Sequence, residues 1–436
     1  ALVAAFAHSL WAPAVRSGGL LAIYAALAAA TVFDLSIFQS IRGEHYGYMI
    51  VCLAFPDWRS GCQCVQVALW LWAAVSKCGP WFSPIPAFLM KDSMFTMCMP
   101  RGFHAKLFTK DYPRDLNASR LSEAVAWLAT VMEAIFPLMC CTPVPALRMA
   151  GAYGMMAYHC FIIASLPFAS VCEWNYFSIA MTYHLFCLDT FSLPTSPLLV
   201  GFLAVVLIAV PALGQWYPNL VPFLMAYRPY AGNWRFAWYV LHKSALPKHQ
   251  KLKTWESPFV GENGVWLYGL LGKLGEQSKA ALAEFDDYMT AVVISWPSYR
   301  PIISILEKLC EDNGWDIDDV MYTFSEGYQN QVFGWSLGTG WLAARECTRE
   351  ALNAVCGFAP GEMYLVQFEP MRPWPLDKLE VQYRCFDVTR GPRDSQIHGV
   401  VPYAELARSQ PAGLVLQPHQ MLTGNSLQGT FNSTYY

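Results

Sequence analysis

The chain has 436 residues, 55% of them hydrophobic and 14% charged, with a net charge of −3 and a mean hydropathy of +0.28. Soluble proteins average about a quarter charged residues, so a purely water-soluble globule is a poor fit, and the negative balance argues against a nucleic-acid binder, which needs a basic surface. The 14 cysteines fall in apolar runs (Cys140, Cys141, Cys160, Cys187) rather than in the framework of a short secreted domain, and Cys62 and Cys64 lack the spacing of a zinc knuckle.

A helix needs about 20 mostly apolar residues to cross the hydrocarbon core. Six segments qualify: 19–38, 63–79, 121–142, 147–168, 174–193 and 197–214. Pro137, Pro167 and Pro211 lie in or beside them, which neighbouring helices can accommodate. The run 46–55 is apolar but too short, and reads as interfacial or re-entrant. The stretch 121–225 carries only Glu123, Glu133, Arg148, Glu173 and Asp189 as charged residues, far too few for a water-facing domain.

Basic residues mark one face of the membrane. The loop 80–120 holds Lys91, Arg101, Lys106, Lys110, Arg114 and Arg120, and the stretch after the sixth segment holds Arg228, Arg235, Lys243, Lys248, Lys251 and Lys253. Four segments separate the two, so both share a side, together with Arg16, while the other face has Arg42, Arg59 and Arg148. The positive side is cytoplasmic, stromal or matrix-facing. Trp70, Trp72, Trp81, Trp174, Tyr176, Trp216 and Tyr217 gather near segment ends, as headgroup-level anchors do.

Past residue 225 the pattern becomes that of a water-facing α+β region, 226–410, followed by an extended tail, 411–436. Residues 262–290 and 298–312 read as amphipathic helices, with a stop at Asn313-Gly314. A further helix, 343–356, is closed by Gly357, and 362–369, 379–388 and 396–402 read as strands. The expected fold is therefore mainly α: a polytopic transmembrane bundle, 1–225, with a C-terminal α+β region. Asn117 and Asn432 lie in sequons that matter only in the secretory pathway.

Ionisable groups at membrane depth are costly, which makes them functional candidates. Asp34, Glu123, Glu173 and Asp189 sit near segment ends, where snorkelling makes them cheap. Lys77, late in an apolar helix and just before Gly79-Pro80, is either a snorkelling lysine or a catalytic base. Glu133 and His159 lie at mid-segment. His159 and His184 are candidate ligands for a pigment or haem, or plain hydrogen-bonding partners of a neighbouring helix. The turn from Gly334 to Gly340 is glycine-rich but has no phosphate-binding lysine, and a tight turn is the simpler reading.

Three stretches carry a resemblance: SKCGPWFSPIPAFLMKDS (76–93), DYPRDLNASRLSEAVAW (111–127) with the later EWNYF (173–177), and GWSLGTGWLAARECTREALNAVCGFAPGEMYLVQFE (334–369). Together they resemble a bacterial transmembrane family catalogued as domain of unknown function 3556, over about residues 20 to 410. The resemblance implies a helical membrane bundle and longer N-termini in the bacterial members. It also implies an Asp and two His in the glycine-rich turn where this chain has Thr339, Trp341 and Ala343, which puts any metal or acid–base role of that turn in doubt. The residues around Lys77 are similar, more locally, to vitamin K-dependent carboxylases, in which the matching lysine serves as the base.

Two functions follow as expectations. The first is an integral accessory or scaffold subunit of a larger membrane assembly, in contact with the lipid bilayer and other membrane subunits. The opening ALVAAFAHSL reads as either processed or trimmed; organelle import would fit the former, with a thylakoid or mitochondrial inner membrane and a photosynthetic or respiratory complex as the expectation. Its bound groups would be chlorophyll, carotenoid, haem or lipid. The alternative is a membrane-embedded enzyme acting on a lipid or quinone-like substrate, with Lys77 as base assisted by Glu133 or His159. A transporter fits least, because no inverted repeat is visible.

Overall fold

The computed structural model describes residues 43–79, 82–90, 93, 95, 103–111, 115–165, 171–216, 236–249, 251, 300–324, 346–371, 378–395 and 397–408. The predicted first span, 19–38, the predicted helix 262–290, the turn from Gly334 to Gly340 and the tail 411–436 lie outside these residues, as does Asp34. The chain gathers into two compact units, and each is taken by itself. One draws on Ala1–Cys78, Trp127–Ile163 and Val171–Pro229, the other on Gly79–Ala126, Ala164–Ser170 and Tyr230–Tyr436.

The first unit is helical. Its elements are α1 (Gly43–Cys52), α2 (Trp58–Lys77), α3 (Arg120–Cys140, entering the unit at Trp127), α4 (Pro145–Ser165), α5 (Val171–Thr182), α6 (Pro197–Ala204) and α7 (Val210–Trp216). A π-helical turn, Tyr183–Cys187, prolongs α5, and another, Val205–Ala209, joins α6 to α7. Helices thus occupy five of the six predicted spans. Among the described residues, one of them, α3, is by itself long and apolar enough to cross a membrane. The run read as interfacial or re-entrant, 46–55, is largely helix: α1 places Met49 and Cys52 in the same apolar cluster as Cys62, Val65 and Trp70 of α2.

The polarity of α3 is inverted relative to a soluble helix. Ser122, Ala126, Thr130, Glu133, Pro137 and Cys140 recur every three or four residues and are buried. Leu121, Trp127, Leu128, Val131, Ile135 and Leu138 face outward, and only 28% of the apolar window is buried. Apolar residues outside and polar ones inside suit a helix whose surroundings are lipid. Pro137 sits within this helix without ending it, as happens where neighbouring helices take up the freed backbone groups. Between α3 and α4 the backbones meet closely: a Cβ on Gly151 would lie 2.6 Å from the carbonyl oxygen of Phe136. Small residues at such crossings allow the tight packing that replaces the hydrophobic effect in a bilayer.

The second unit holds a two-stranded ribbon, β1 (Thr109–Asp111) with β2 (Asp115–Ala118), and a five-stranded antiparallel sheet of order β4-β3-β5-β6-β7. The strands are β3 (Phe236–His242), β4 (Val320–Phe324), β5 (Met363–Met371), β6 (Glu380–Asp387) and β7 (Ile397–Pro402). The last three match predicted strands. The sheet's β3 and β4 were not predicted: FAWYVLH is continuously apolar rather than alternating because the sheet buries both its faces. Tyr239, Leu241, Leu365 and Phe386 share one apolar cluster with Leu352, Cys356 and Phe358 of helix α9 (Glu346–Cys356) and the segment after it. Trp238, Val240, Val366 and Phe368 alternate with them and are also buried. The predicted helix 298–312 appears as α8 (Pro301–Asn313), which buries Ile302, Ile305, Leu306 and Leu309 and ends at Gly314 in the left-handed region, φ 65°.

The division of the chain is more interleaved than one boundary near residue 225 implies. The loop 80–120 belongs with the sheet unit, because the buried guanidinium of Arg300 donates both to Asn117 Oδ1, 2.7 Å away, and to the carbonyl of Leu406. Asn117 is thus a structural acceptor.

Candidate functional site

On α2, Gln63, Gln66, Trp70 and Lys77 follow one another at three, four and seven residues, so they line one face of the helix. All are buried, Gln66 completely. On α5, Asn175, Ser178 and Thr182 repeat the spacing and are at most 2% exposed. Polar side chains that face inward in an apolar bundle must find partners there.

At one end of this seam, the Lys77 ammonium of α2 donates to the Glu133 carboxylate of α3. Their side chains are 8% and 6% exposed. The two residues singled out at mid-membrane and near the Gly-Pro break are therefore each other's partners.

Further along α2, the indole Nε1 of Trp70 donates to His159 Nε2 at 3.0 Å, and His159 Nδ1 lies 2.6 Å from Asn175 Oδ1. An indole can only donate, so Nε2 accepts, and the proton of the neutral ring sits on Nδ1 and is donated to Asn175. One imidazole thereby ties α2, α4 and α5 together. Both of its nitrogens are engaged, which leaves neither as an axial ligand for a pigment or haem in this arrangement.

At the other end, Gln63 Nε2 donates to the carbonyls of Leu185 (2.6 Å) and Thr190 (3.1 Å), and Gln63 Oε1 accepts from the Ser192 amide (3.1 Å). Gln66 Nε2 makes a long contact, 3.5 Å, with Ser178 Oγ, and its Oε1 is buried with no partner among the described residues.

The remaining candidates are not brought into the seam. His184 is exposed on the π-helical turn, its ring 6.0 Å from that of Tyr183. Asp189 lies 3.8 Å from the Arg59 guanidinium in an exposed pair, and Glu123 is exposed in the first turn of α3. The side chain of Glu173 lies outside the described residues. Among the described residues, no three His, Cys, Asp or Glu side chains converge as a metal site would require, and the described cysteines are free thiols.

Sequence reasoning followed charge and so missed Gln63, Gln66, Asn175, Ser178 and Thr182. The available signal was neutral polar residues recurring at helical spacing within apolar segments.

The sheet unit has a cleft of about 290 Å³ lined by Leu309, Asn313, Tyr364, Cys385, Asp387 and Arg390, among others. Its buried carboxylate, Asp387, accepts from the Gly361 and Thr389 amides and from the Thr389 hydroxyl, so it is spent on holding turns. The Tyr364 hydroxyl donates to Asn313 Oδ1 at 2.9 Å, and burial pushes its pKa up.

A family model described as a transmembrane protein of unknown function (DUF3556) matches residues 12–415. No curated protein and no solved structure matches the chain.

Proposed function

Because the chain belongs to the DUF3556 family of transmembrane proteins, we propose that it is an integral membrane scaffold or accessory subunit, whose helical unit presents a rigid apolar surface to lipid and to other membrane subunits. The carrying observation is that the three candidate chemical groups are all committed inside the bundle. Lys77 holds Glu133, and His159 bridges Trp70 and Asn175. Groups used in this way lock helices together. Asp57 and Ser60 lie against Ser192, Thr195 and Ser196, as an even number of crossings between the two segments requires. Isolation of the full chain from its own membranes in a mild detergent tests the proposal: companion subunits should co-migrate with it, and a chain that runs alone overturns it.

A second reading has one observation in its favour. A buried ion pair is a poor way to gain stability, since apolar residues of similar volume often do as well or better. Lys77 and Glu133 then form an acid–base couple in an apolar setting, acting on a lipid or quinone-like substrate, and the local similarity to vitamin K-dependent carboxylases belongs to this reading. In cells carrying Lys77→Met, such a substrate should accumulate in the extracted lipids; an unchanged lipid profile rejects the enzyme.

A further inference from the structure

The segment joining α5 to α6, residues 188–196, is pinned along its length to the start of α2. The Asp57 carboxylate accepts from the amides of Thr195 (2.5 Å) and Ser196 (2.9 Å). The hydroxyls of Ser60 and Ser192 are 2.6 Å apart. Gln63 holds Thr190 and Ser192 by their backbones. These three side chains are spaced three residues apart at the start of α2, so they form one row of tethers. Phe191 packs inward against the apolar cluster of the bundle.

The same strap turns leucines outward. Leu188 is 61% exposed, Leu193 71% and, in the first turn of α6, Leu198 77%. The tethers prevent the strap from rolling to cover them. Beside it, Trp58 opens α2 with the Arg59 guanidinium 5.2 Å from its ring, and Arg59 reaches Asp189 on the strap at 3.8 Å. Trp and Arg together at a helix end are typical of the headgroup level, where the ring is half-buried and the guanidinium meets phosphate.

We propose that this strap is a lipid-contacting platform: Leu188, Leu193 and Leu198 sit at the acyl–headgroup boundary of one leaflet, with Trp58 and Arg59 among the headgroups. The occupant is phospholipid. The family is transmembrane, a connection between two bilayer helices comes out at a membrane surface, and the Trp–Arg pair marks the same end. The inference depends on α5 and α6 crossing the bilayer and is independent of whether the chain is a scaffold or an enzyme.

The test places a photoreactive benzophenone side chain at position 193, and separately at 198, in the full chain reconstituted in phosphatidylcholine–phosphatidylglycerol vesicles, with adducts read by mass spectrometry. Lipid adducts, attached near the glycerol end of the acyl chains, are the expected dominant product at both positions. Adducts mainly to a second copy of the chain, or quenching by water with few lipid adducts, overturn the proposal. A strap freed by the double variant Ser60→Ala, Gln63→Ala should lose most of the lipid adduct at 193. An undiminished yield shows that the tethers do not position the leucines and overturns that part of the argument.

Discussion

Helices α3 and α8 have opposite polarities. On α8 the inward residues are Ile302, Ile305, Leu306 and Leu309, and the outward ones include Glu307, Lys308, Glu311 and Asp312. On α3 the inward face includes Ser122, Thr130 and Glu133, and the outward face is Leu121, Leu128, Val131, Ile135 and Leu138. Each helix turns toward its surroundings what those surroundings solvate best: charges toward water in the sheet unit, apolar side chains toward lipid in the helical one. Cohesion differs accordingly. The sheet unit is held by apolar burial on both faces of its sheet, while the helical unit adds to close packing the buried Lys77–Glu133 pair and the polar seam between its helices.

Several substitutions break or sharpen this contrast. The largest effect should come from Glu133→Leu, which leaves the Lys77 ammonium buried without its carboxylate; a loss of about 3–5 kcal/mol is expected by reversible unfolding in mixed micelles. Adding Lys77→Met should recover most of that loss, and failure to recover would show that the pair is not what holds α2 to α3. In the sheet unit, Phe386→Ala should cost about 3–5 kcal/mol through its cavity, with no polar second change able to restore it.

A matched exchange on two exposed apolar positions separates the two solvents. Leu128→Lys on α3 should cost about 2.5–3.5 kcal/mol if that face meets lipid. Val355→Lys on α9, 51% exposed, should stay within about 0.5 kcal/mol. Equal costs would remove the distinction. A smaller effect, about 1–3 kcal/mol, is expected of Trp70→Phe, which keeps the ring but leaves His159 Nε2 without its donor.

The sheet unit also carries a pH dependence of its own. Burial lowers the pKa of His249 from 6.5 to about 4. The folded state therefore favours the neutral ring: the contribution is fully present above about pH 6.5 and is lost as pH falls through 4. Glu362 is held below its usual range, Lys248 and the Ala359 amide outweighing its burial, and it adds an acid loss only below about 4.5. In His249→Gln, the decline in stability between pH 6.5 and 4.5, followed by near-ultraviolet circular dichroism, should flatten while the steeper fall below it remains.

Much of the architecture could be read in the residues because it follows from local chemistry. Apolar length placed five helices to within about six residues, Gly314 and Gly357 marked helix ends, and short runs separated by Pro-rich turns marked β5, β6 and β7. Lys77, Glu133 and His159 stood out because charge inside an apolar run is conspicuous in one dimension. Their partnership did not. Lys77 meets a residue 56 positions away, and His159 residues 89 and 16 positions away, and nothing local to either residue specifies which helices will be neighbours. The neutral seam of Gln63, Gln66, Asn175 and Ser178, and the strap held by Asp57 and Ser60, were hidden for the same reason. A glutamine in an apolar helix has no visible purpose until the facing backbone is in place. The sequence alone determined which segments are apolar, where helices end and that the chain is a membrane protein. The tertiary structure decided which polar groups neutralise one another, because that depends on packing between helices far apart in the chain.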